Sequence, residues 1–334
     1  MENILEIKDL VVQYHTDDGI VEAINGLNLT LEKGQTLGLV GETGAGKTTL
    51  AKSIMGLIPK PPGKIMSGSI EFDSSELLTL SEQKMRFVRG KKISMIFQDP
   101  MTSLNPVMAV GDQISEVIQN HENLSKSEAN VKAGEMLELV GIPAERINEY
   151  PHQFSGGMKQ RVIIAIALSC NPELLIADEP TTALDVTIQA QVLNMMKKLK
   201  RQFDMSMLLI THDLGVVAQT CDHVAIMYAG EIIEYGNLRE IFKHPKHPYT
   251  IGLFGSIPNL TENVDRLNPV KGEIPNPTEL PIGCNFNTRC EHATKECKER
   301  KPKMVMVGGE HQVRCFMIDN KLPKEDTYAN NGTA

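Results

Sequence analysis

Residues Gly41 to Thr48 read Gly-Glu-Thr-Gly-Ala-Gly-Lys-Thr, which fits the pattern Gly-x-x-x-x-Gly-Lys-Ser/Thr. Glycines at this spacing let backbone N–H groups turn inward around the α- and β-phosphates of a nucleotide. Lys47 brings a positive charge to the β/γ position, and the Thr48 hydroxyl is a ligand for Mg²⁺. An apolar stretch precedes the loop and a helical pattern follows it, so a helix N-terminus adds positive partial charge. The pattern predicts a phosphate-binding loop at the surface; the plain alternative is a glycine-rich turn that binds nothing.

A second group of acids could complete such a site. The apolar run Leu174 to Ala177 is followed directly by Asp178 and Glu179. A buried strand would deliver Asp178 to the Mg²⁺ shell beside Thr48. Glu179, one residue further on, could polarise a water that attacks phosphorus. The alternative is a strand end that carries two solvated acids with no chemical role. The presence of a phosphate loop in the same chain disfavours this alternative.

The elements needed to position these residues can be read from hydrophobic periodicity. β-branched and alternating stretches indicate strands, and apolar residues at three- and four-residue spacing indicate helices. Strands are expected at 4–13, 21–31, 36–40, 174–177 and 207–210, and helices at 47–57, 108–119, 125–140, 155–169 and 187–203. Short apolar strands alternating with helices are typical of an α/β fold, in which helices cover both faces of a parallel sheet.

Composition excludes several classes of protein. The 334 residues, with 41% hydrophobic and 23% charged side chains, suffice for about two domains and argue against a disordered chain. A net charge of −8 disfavours binding to a nucleic-acid backbone. The longest central apolar run, residues 162–168, is far shorter than the ~20 residues of a membrane helix. The N-terminus has no signal region, so a cytosolic chain is expected, with any membrane role exerted through partners.

The segment Phe154-Ser-Gly-Gly-Met-Lys-Gln-Arg lies between the two motifs and resembles the signature sequence of ABC-type ATPases. Other motifs occur in that family's order: Gln98, the signature, the Asp-Glu pair, Ala183-Leu184-Asp185 and His212. The resemblance covers about residues 4–240. Phe154 and Met158 depart from it, because the signature usually has Leu and Gln there. This form resembles the oligopeptide/dipeptide importer branch, which also includes nickel importers.

The resemblance implies a phosphate-loop NTPase fold of ABC type. Its mixed sheet core would carry an antiparallel β-subdomain and an α-helical subdomain at about 98–153, within an ATP-binding domain of residues 1–242. The implied catalytic residues are Glu179, His212 and Gln98, and the implied Mg²⁺ shell is Thr48, Gln98 and Asp178. Contacts to ATP are implied for Tyr14, Gly41, Glu42, Thr43, Gly44, Ala45, Gly46, Lys47, Thr48, Thr49, Gln98, Ser155, Gly156, Gly157, Asp178 and Asp185.

Several of these roles have plainer alternatives. Ser155 is a helix N-cap followed by two glycines, and the resemblance places it against ATP bound by an opposite subunit. His212 would contact the γ-phosphate, although a lone histidine is more often structural. Tyr14, 27 residues before Gly41, would stack on adenine or simply pack its strand. Asp185 would organise a dimer contact or simply cap a helix, and Gln98 could be a surface glutamine.

The resemblance also implies partners and a location. A chain with one phosphate loop needs a second ATPase subunit, identical or homologous, to enclose two nucleotides. Two membrane permeases and an extracytoplasmic solute-binding protein would complete a peptide importer, with this chain peripheral on the cytoplasmic face of the membrane. Alternatives are the same role for nickel or another small solute, a soluble ABC-type ATPase of translation or DNA repair, and an iron–sulfur electron carrier.

From Lys243 onward prolines punctuate a stretch of little periodicity, which predicts a small extension at 243–320 and a flexible tail at 321–334. Four of the six cysteines crowd into it: Cys284, Cys290, Cys297 and Cys315. Cys170 and Cys221 are typical of buried thiols. Four thiols could hold Zn²⁺ or an iron–sulfur cluster, but the spacing lacks the Cys-x-x-Cys pairs of zinc ribbons. It resembles the region of dipeptide importer ATPases in which some carry a [4Fe–4S] cluster; zinc and free thiols remain alternatives.

Overall fold

The computed structural model describes residues 2–99, 103–182, 184–255 and 270–319. They form two compact units, Met1–Ile232 and Ile233–Ala334, and the division falls within one strand, β10 (Glu231–Asn237). None of the described helices is long and apolar enough to cross a membrane. The domain limits expected from the sequence, 1–242, 243–320 and 321–334, stay predictions, and the expected flexible tail lies outside the described residues.

The first unit contains an antiparallel sheet of order β2-β1-β4-β5. Its strands are β1 (Asn3–Thr16), β2 (Gly19–Glu32), β4 (Gly63–Phe72) and β5 (Ser75–Glu76). The β1 and β2 positions that pair across this sheet, such as Leu5 with Leu31, bury one apolar face. This is the antiparallel β-subdomain that the resemblance implied.

A parallel sheet of order β9-β3-β8-β7-β6 forms the centre of the same unit. Its strands are β3 (Thr36–Val40), β6 (Ile93–Ile96), β7 (Leu174–Asp178), β8 (Ser206–Ile210) and β9 (His223–Tyr228). Every residue of β3, β6, β7 and β8 is buried, as expected for strands covered on both faces. This parallel sheet beside an antiparallel one confirms the mixed α/β fold class.

Five of the seven helices described in the first unit lie close to the expected positions, and those at Glu82–Lys91 and Leu214–Thr220 were not predicted. They are α1 (Lys47–Ile54), α2 (Glu82–Lys91), α3 (Val110–His121), α4 (Lys126–Leu139), α5 (Gly156–Leu168), α6 (Val186–Gln202) and α7 (Leu214–Thr220). Helices α3 and α4, followed by short 3₁₀ turns at Ala144–Asn148 and Pro151–Gln153, occupy the stretch expected to be helical. The first helix ends three residues before the expected Leu57, because Gly56 adopts a left-handed φ of 62°.

In the second unit, β12 (His311–Val313) pairs antiparallel with β10 and with β11 (Val305–Gly308), and these strands continue the eight-stranded sheet β11-β12-β10-β9-β3-β8-β7-β6. Its helices are α8 (Leu238–Lys243), α9 (Pro248–Gly255), α10 (Lys295–Glu299) and α11 (Phe316–Asp319). A fully buried Glu234 carboxylate accepts hydrogen bonds from the Lys246 and His247 amides and faces His311 Nε2 at 2.7 Å. Buried polar pairing therefore supplements a modest apolar core.

A candidate nucleotide site at the carboxyl ends of the parallel strands

Four strands of the parallel sheet end at one edge. The register pairs Leu39 of β3 and Asp178 of β7 with the same residue, Ile210 of β8, and Ile96 of β6 with Ala177. The loops that follow these strands carry the phosphate loop, Gln98, the Asp-Glu pair and His212. Because ligands of open α/β sheets bind outside the carboxyl ends of the strands, this edge is the candidate site.

The phosphate loop depends on its glycines. Gly44 and Gly46 have positive φ angles of 85° and 104°, a conformation that other residues rarely adopt. A Cβ on Gly41 would lie 2.2 Å from the Met227 carbonyl oxygen, and one on Gly46 would lie 2.5 Å from that of Ala23. Backbone on both sides fixes the path of the loop, and Gly46 is the N-cap of α1. The N-terminus of α1 therefore faces the space enclosed by the loop, as a phosphate-binding site requires.

Lys47 lies inside this loop. Its Nζ donates to the carbonyl oxygens of Gly41 at 2.7 Å and Glu42 at 3.0 Å, and the residue is only 7% exposed. The loop is exposed at Thr43 and Gly44, whereas Lys47 is buried because its side chain folds back over the loop. Burial lowers the pKa of Lys47, against the opposing pull of Glu179 and Asp178. A phosphate in the loop would supply a further anionic partner for this ammonium.

Asp178 and Thr48 lie together beside Lys47. Asp178 is 2% exposed at the end of β7, and its carboxylate is hydrogen-bonded to the Thr48 side chain. Burial raises the pKa of Asp178, and the bond to Thr48 partly offsets this. A carboxylate and a hydroxyl side by side are the hard oxygen ligands that Mg²⁺ prefers, so the residues present fit this ion. A bound cation would also favour the ionised form of the buried acid.

Glu179 is the point on which three side chains converge. Its Oε1 lies 3.0 Å from His212 Nδ1, and its Oε2 accepts from Gln98 Nε2 at 3.1 Å and from Thr182 Oγ1 at 3.0 Å. Burial alone would raise the pKa of Glu179, but the bonds from His212, Thr182 and Gln98 outweigh it, and the pKa is lowered. The carboxylate is therefore ionised and held in one orientation, as a group that polarises water must be.

The backbone of Glu179 is also unusual. Its φ is 49°, in the left-handed region that non-glycine residues seldom occupy, and its amide donates to the Ile210 carbonyl at 2.8 Å. Such strain persists only where the surroundings enforce it, and it concentrates at functional sites. The turn changes the direction of the chain between two consecutive residues. Asp178 is buried beside Thr48, whereas the Glu179 side chain faces the strand ends.

Tyr14 lies beside the first turn of α1. Its hydroxyl is 3.4 Å from Thr49 Oγ1, and a Cβ on Gly63 would lie 2.9 Å from its ring. The His15 amide donates to the Pro62 carbonyl at 2.9 Å, so residues 59–63 back the Tyr14 strand. The ring is thereby fixed near the helix that opens with the phosphate loop. This agrees with a base-stacking platform and with plain strand packing alike.

Ser155 and Asp185 both act as helix N-caps. Ser155 Oγ accepts from the Met158 amide at 3.4 Å at the start of α5, and Asp185 Oδ1 accepts from the Ile188 amide at 2.9 Å at the start of α6. Within the described part of the chain, the hydrogen bonds of these two residues stay in their own helices. They therefore do not belong to the cluster around Glu179. Ala183, which precedes Asp185 in its motif, lies outside the described residues.

Two polar residues near the motifs were not predicted from the sequence. Thr182 holds Glu179 through its hydroxyl, and Arg146 contacts Phe154 and Met158 of the signature segment. Thr182 stands three residues after Glu179, so its reach could have been suspected from the left-handed turn between them. Nothing in the sequence pattern marks Arg146, since it lies twelve residues before Met158 in a stretch of 3₁₀ turns.

The four clustered cysteines line one small cavity in the second unit, of about 10 Å³, together with His247 and Phe286. That is room for about one water molecule. Burial raises the pKa of Cys290 and of Cys315, so these thiols are neutral unless a cation binds them. Among the described residues no group of three or more His, Cys, Asp or Glu is placed to hold a metal ion. The residues thus share a cavity but, as placed, form no group that would hold a metal ion.

The strand-end site and the sheet around it define a phosphate-loop ATPase of the ATP-binding cassette class. Two solved structures show the same fold: the dimeric post-hydrolysis state of the cassette MJ0796 with ADP and phosphate, and cbiO1 from Clostridium perfringens. Their TM-scores are 0.63 and 0.62, at 26% and 29% sequence identity. The matches cover 70% and 73% of this chain, and 99% and 92% of those chains.

The chain belongs to the family of oligopeptide and dipeptide transport ATP-binding proteins. It is 52% identical over 324 residues to the oligopeptide transport ATP-binding protein OppD of Bacillus subtilis, covering 96% of this chain and 90% of that one. It is 49% identical over 323 residues to the dipeptide transport ATP-binding protein DppD of the same organism, covering 96% of each. Family models for the ABC transporter domain and for the oligopeptide/dipeptide transporter C-terminal region match residues 24–182 and 233–297.

Proposed function

We propose that this chain binds and hydrolyses ATP to energise an importer of dipeptides or oligopeptides. The observation that carries the proposal is the convergence of Gln98, Thr182 and His212 on Glu179, next to Asp178 and the phosphate loop. The 52% and 49% identity to transport ATP-binding proteins for oligopeptides and dipeptides supports peptides as the cargo class.

The site residues divide the work of hydrolysis. The loop amides and Lys47 bind the β- and γ-phosphates, and Tyr14 stacks on the base. Glu179 orients a water for in-line attack on the γ-phosphorus, while His212 and Lys47 stabilise the charge that develops on the phosphoryl oxygens. Thr48, Asp178 and Gln98 would hold Mg²⁺, which neutralises phosphate charge when bound. Gln98 is hydrogen-bonded to Glu179 and lies at the start of the helical segment at about 98–153. It would therefore couple the nucleotide site to that segment.

The proposal includes a second ATPase subunit. Ser155 and Gly156 are exposed at the start of α5 and Gly157 is half-buried there, which leaves this helix start accessible to ATP held by another copy or a homologue. Asp185 would organise the contact between subunits. The dimeric cassette structure with ADP and phosphate bound supports this arrangement. The remaining partners would be two permeases and an extracytoplasmic solute-binding protein, with this chain on the cytoplasmic face of the membrane.

Reconstitution tests the transport role. The full chain is assembled in proteoliposomes with the permeases and solute-binding protein encoded beside it, and ATP-driven uptake of labelled peptides is measured. We expect peptide uptake that stops with Glu179→Gln. Uptake of nickel without peptides would shift the proposal to that cargo. ATP hydrolysis that neither membrane subunits nor any solute alters would overturn the transport role and leave a soluble ATPase.

We further propose that Cys284, Cys290, Cys297 and Cys315 hold a [4Fe–4S] cluster that stabilises the second unit. Support comes from the four thiols sharing one cavity and from the non-zinc spacing. The second unit also has few buried apolar residues, so a crosslink of this kind would contribute to its folding. Zn²⁺ remains the alternative.

Metal analysis of anaerobically purified protein tests the cluster. We expect about four irons per chain. Cys290→Ser should lose the iron and make residues beyond about 270 sensitive to protease, because metal binding and folding are coupled. Cys170→Ala, which alters a buried thiol of the first unit, is the control and should keep the iron. One zinc per chain would support the alternative, and neither metal would leave four free thiols and contradict both.

A further inference from the structure

The two departures from the usual signature, Phe154 and Met158, contact the same side chain. The Arg146 guanidinium carbon lies 4.4 Å from the centre of the Phe154 ring, and Arg146 Nη1 lies 3.5 Å from Met158 Sδ. The same guanidinium donates to the Gln153 carbonyl at 3.2 Å. One side chain thus holds the segment on both sides of Ser155.

Arg146 is fixed in turn by Glu149. The Glu149 carboxylate accepts from Arg146 Nε at 2.9 Å and from Nη2 at 2.6 Å, and the Glu149 carbonyl accepts from the Val110 amide at 2.9 Å. The clamp, meaning the contacts of Arg146 with Phe154, Met158 and the Gln153 carbonyl, is therefore linked through Glu149 to the start of α3. All three guanidinium nitrogens donate within this neighbourhood, and Glu149 neutralises the charge. Arg146 consequently has little capacity left to bind an anion directly.

The usual leucine at position 154 would not reproduce the contact with Arg146. Leucine at position 154 has no aromatic face for a guanidinium to stack on, whereas stacking of a partly desolvated arginine on phenylalanine is favourable. Lysine at position 146 would keep the charge but lose the planar fork that reaches Phe154, Glu149 and the Gln153 carbonyl together. Phe154, Met158 and Arg146 therefore behave as a matched set.

We propose that Arg146 is a positioning residue that holds the signature segment 153–158 in its nucleotide-binding shape before a second subunit arrives. Through Phe154, Met158 and the Gln153 carbonyl it fixes the N-cap Ser155 and the first amides of α5. The inference rests on the proposed function, in which that helix start contacts ATP held by another subunit. Productive dimer formation would then depend on Arg146, a residue that lies outside the motifs.

The first test measures hydrogen exchange of amides 153–158 in the nucleotide-free full chain. Arg146→Ala should speed their exchange by about tenfold, Arg146→Lys should have a smaller effect, and amides 41–48 should be unchanged. Arg86→Ala, at an exposed arginine with 79% of its side chain accessible, is the matched control. Unchanged exchange at 153–158 would overturn the inference and leave the ATPase proposal intact. If Arg146→Ala does not fold, Phe154→Leu and Met158→Leu probe the same clamp from its other side and should also speed exchange.

The second test is a double-mutant cycle on turnover. Arg146→Ala should lower kcat about 10- to 100-fold, with ATP affinity in a direct titration changed less than about twofold, since its effect is on geometry and not on the phosphate loop. In a Phe154→Leu background the same change should cost several-fold less, because one clamp contact is already gone. Equal losses in both backgrounds would contradict the clamp. A wild-type chain without ATPase activity would contradict the proposed function instead, and the exchange experiment would still decide this inference.

Discussion

At the scale of single residues, Glu179 is held by donors from three separate loops. Gln98 is 81 residues away in sequence, His212 is 33 away and Thr182 is three away. The orientation of the carboxylate is therefore a property of the assembled strand ends and not of the Asp-Glu motif alone. Of the three donors, Thr182 is the one whose removal leaves the motifs shared with the family untouched.

Thr182→Val removes one hydrogen bond to Glu179 with almost no change of shape. Because that bond lowers the pKa of Glu179, its loss should raise the pKa, and the acid limb of the kcat–pH profile should move to higher pH. Turnover at neutral pH should fall about tenfold with KM for ATP unchanged. Thr182→Ser should restore activity. Thr181→Val is the control, because the Thr181 hydroxyl makes no hydrogen bond to any of the described residues; equal effects of both valine variants would contradict this role.

Lys47→Ala should abolish tight ATP binding without unfolding the chain. Burial already disfavours the Lys47 charge, so removing it relieves a desolvation cost that offsets the two lost bonds to the loop carbonyls. We expect ATP affinity in a direct titration to fall by about tenfold or more, and Tm to change by only a few degrees. ATP affinity equal to that of the wild type would refute the phosphate-loop assignment.

At the scale of elements, helix caps make separable contributions to stability. Helix α4 begins with a capping box, in which Ser125 and Glu128 bond each other's backbone amides. Ser125→Ala should cost about 1 kcal/mol, which corresponds to a Tm decrease of about 2–4 °C. ATP binding should be unaffected, because this cap lies outside the strand-end site. Ser127→Ala, at the second residue of the same helix, is the control and should leave Tm within about a degree of the wild type.

The elements that the sequence located best are those whose signals are local. The strand expected at 36–40 is found with those bounds, and the helices around 108–140 and 155–203 begin and end within about two residues of expectation. Caps explain this, since Ser125, Ser155 and Asp185 each precede their helix and accept from its third residue. Strands of the second unit were not predicted, because β11 and β12 span only four and three residues and alternate in burial too briefly to show a pattern.

Only part of the candidate site could be predicted from the sequence, because some of its contacts are not local in sequence. Motif residues such as Lys47, Asp178 and Glu179 carry their signal in local sequence. The contacts of Arg146 with Phe154 and Met158, by contrast, depend on how a 3₁₀ turn folds back on the start of a helix. The burial of Lys47 within this loop was not predicted, because side-chain direction is set by tertiary contacts that periodicity does not record.

At the scale of the whole molecule, the nucleotide site and the cysteine cavity lie in different units. Every residue proposed to contact ATP falls within Met1–Ile232, and all four clustered cysteines fall within Ile233–Ala334. Cys297→Ser should therefore leave ATP affinity within about twofold of wild type while protease sensitivity beyond residue 270 rises. A parallel loss of ATP affinity, measured by direct titration on the same preparation, would show that the two sites are coupled.

Glu179 is the proposed group that orients water for ATP hydrolysis in the nucleotide-bound dimer. The direct measurement follows ATP hydrolysis, ATP binding and oligomeric state of Glu179→Gln beside the wild type, with Mg²⁺ present. Glutamine keeps the shape but removes the charge that orients water. We predict that ATP still binds, that turnover falls by about 10²-fold or more, and that an ATP-bound dimer accumulates. Turnover within about threefold of wild type would contradict the assignment of Glu179, and with it the mechanism built on the strand-end site.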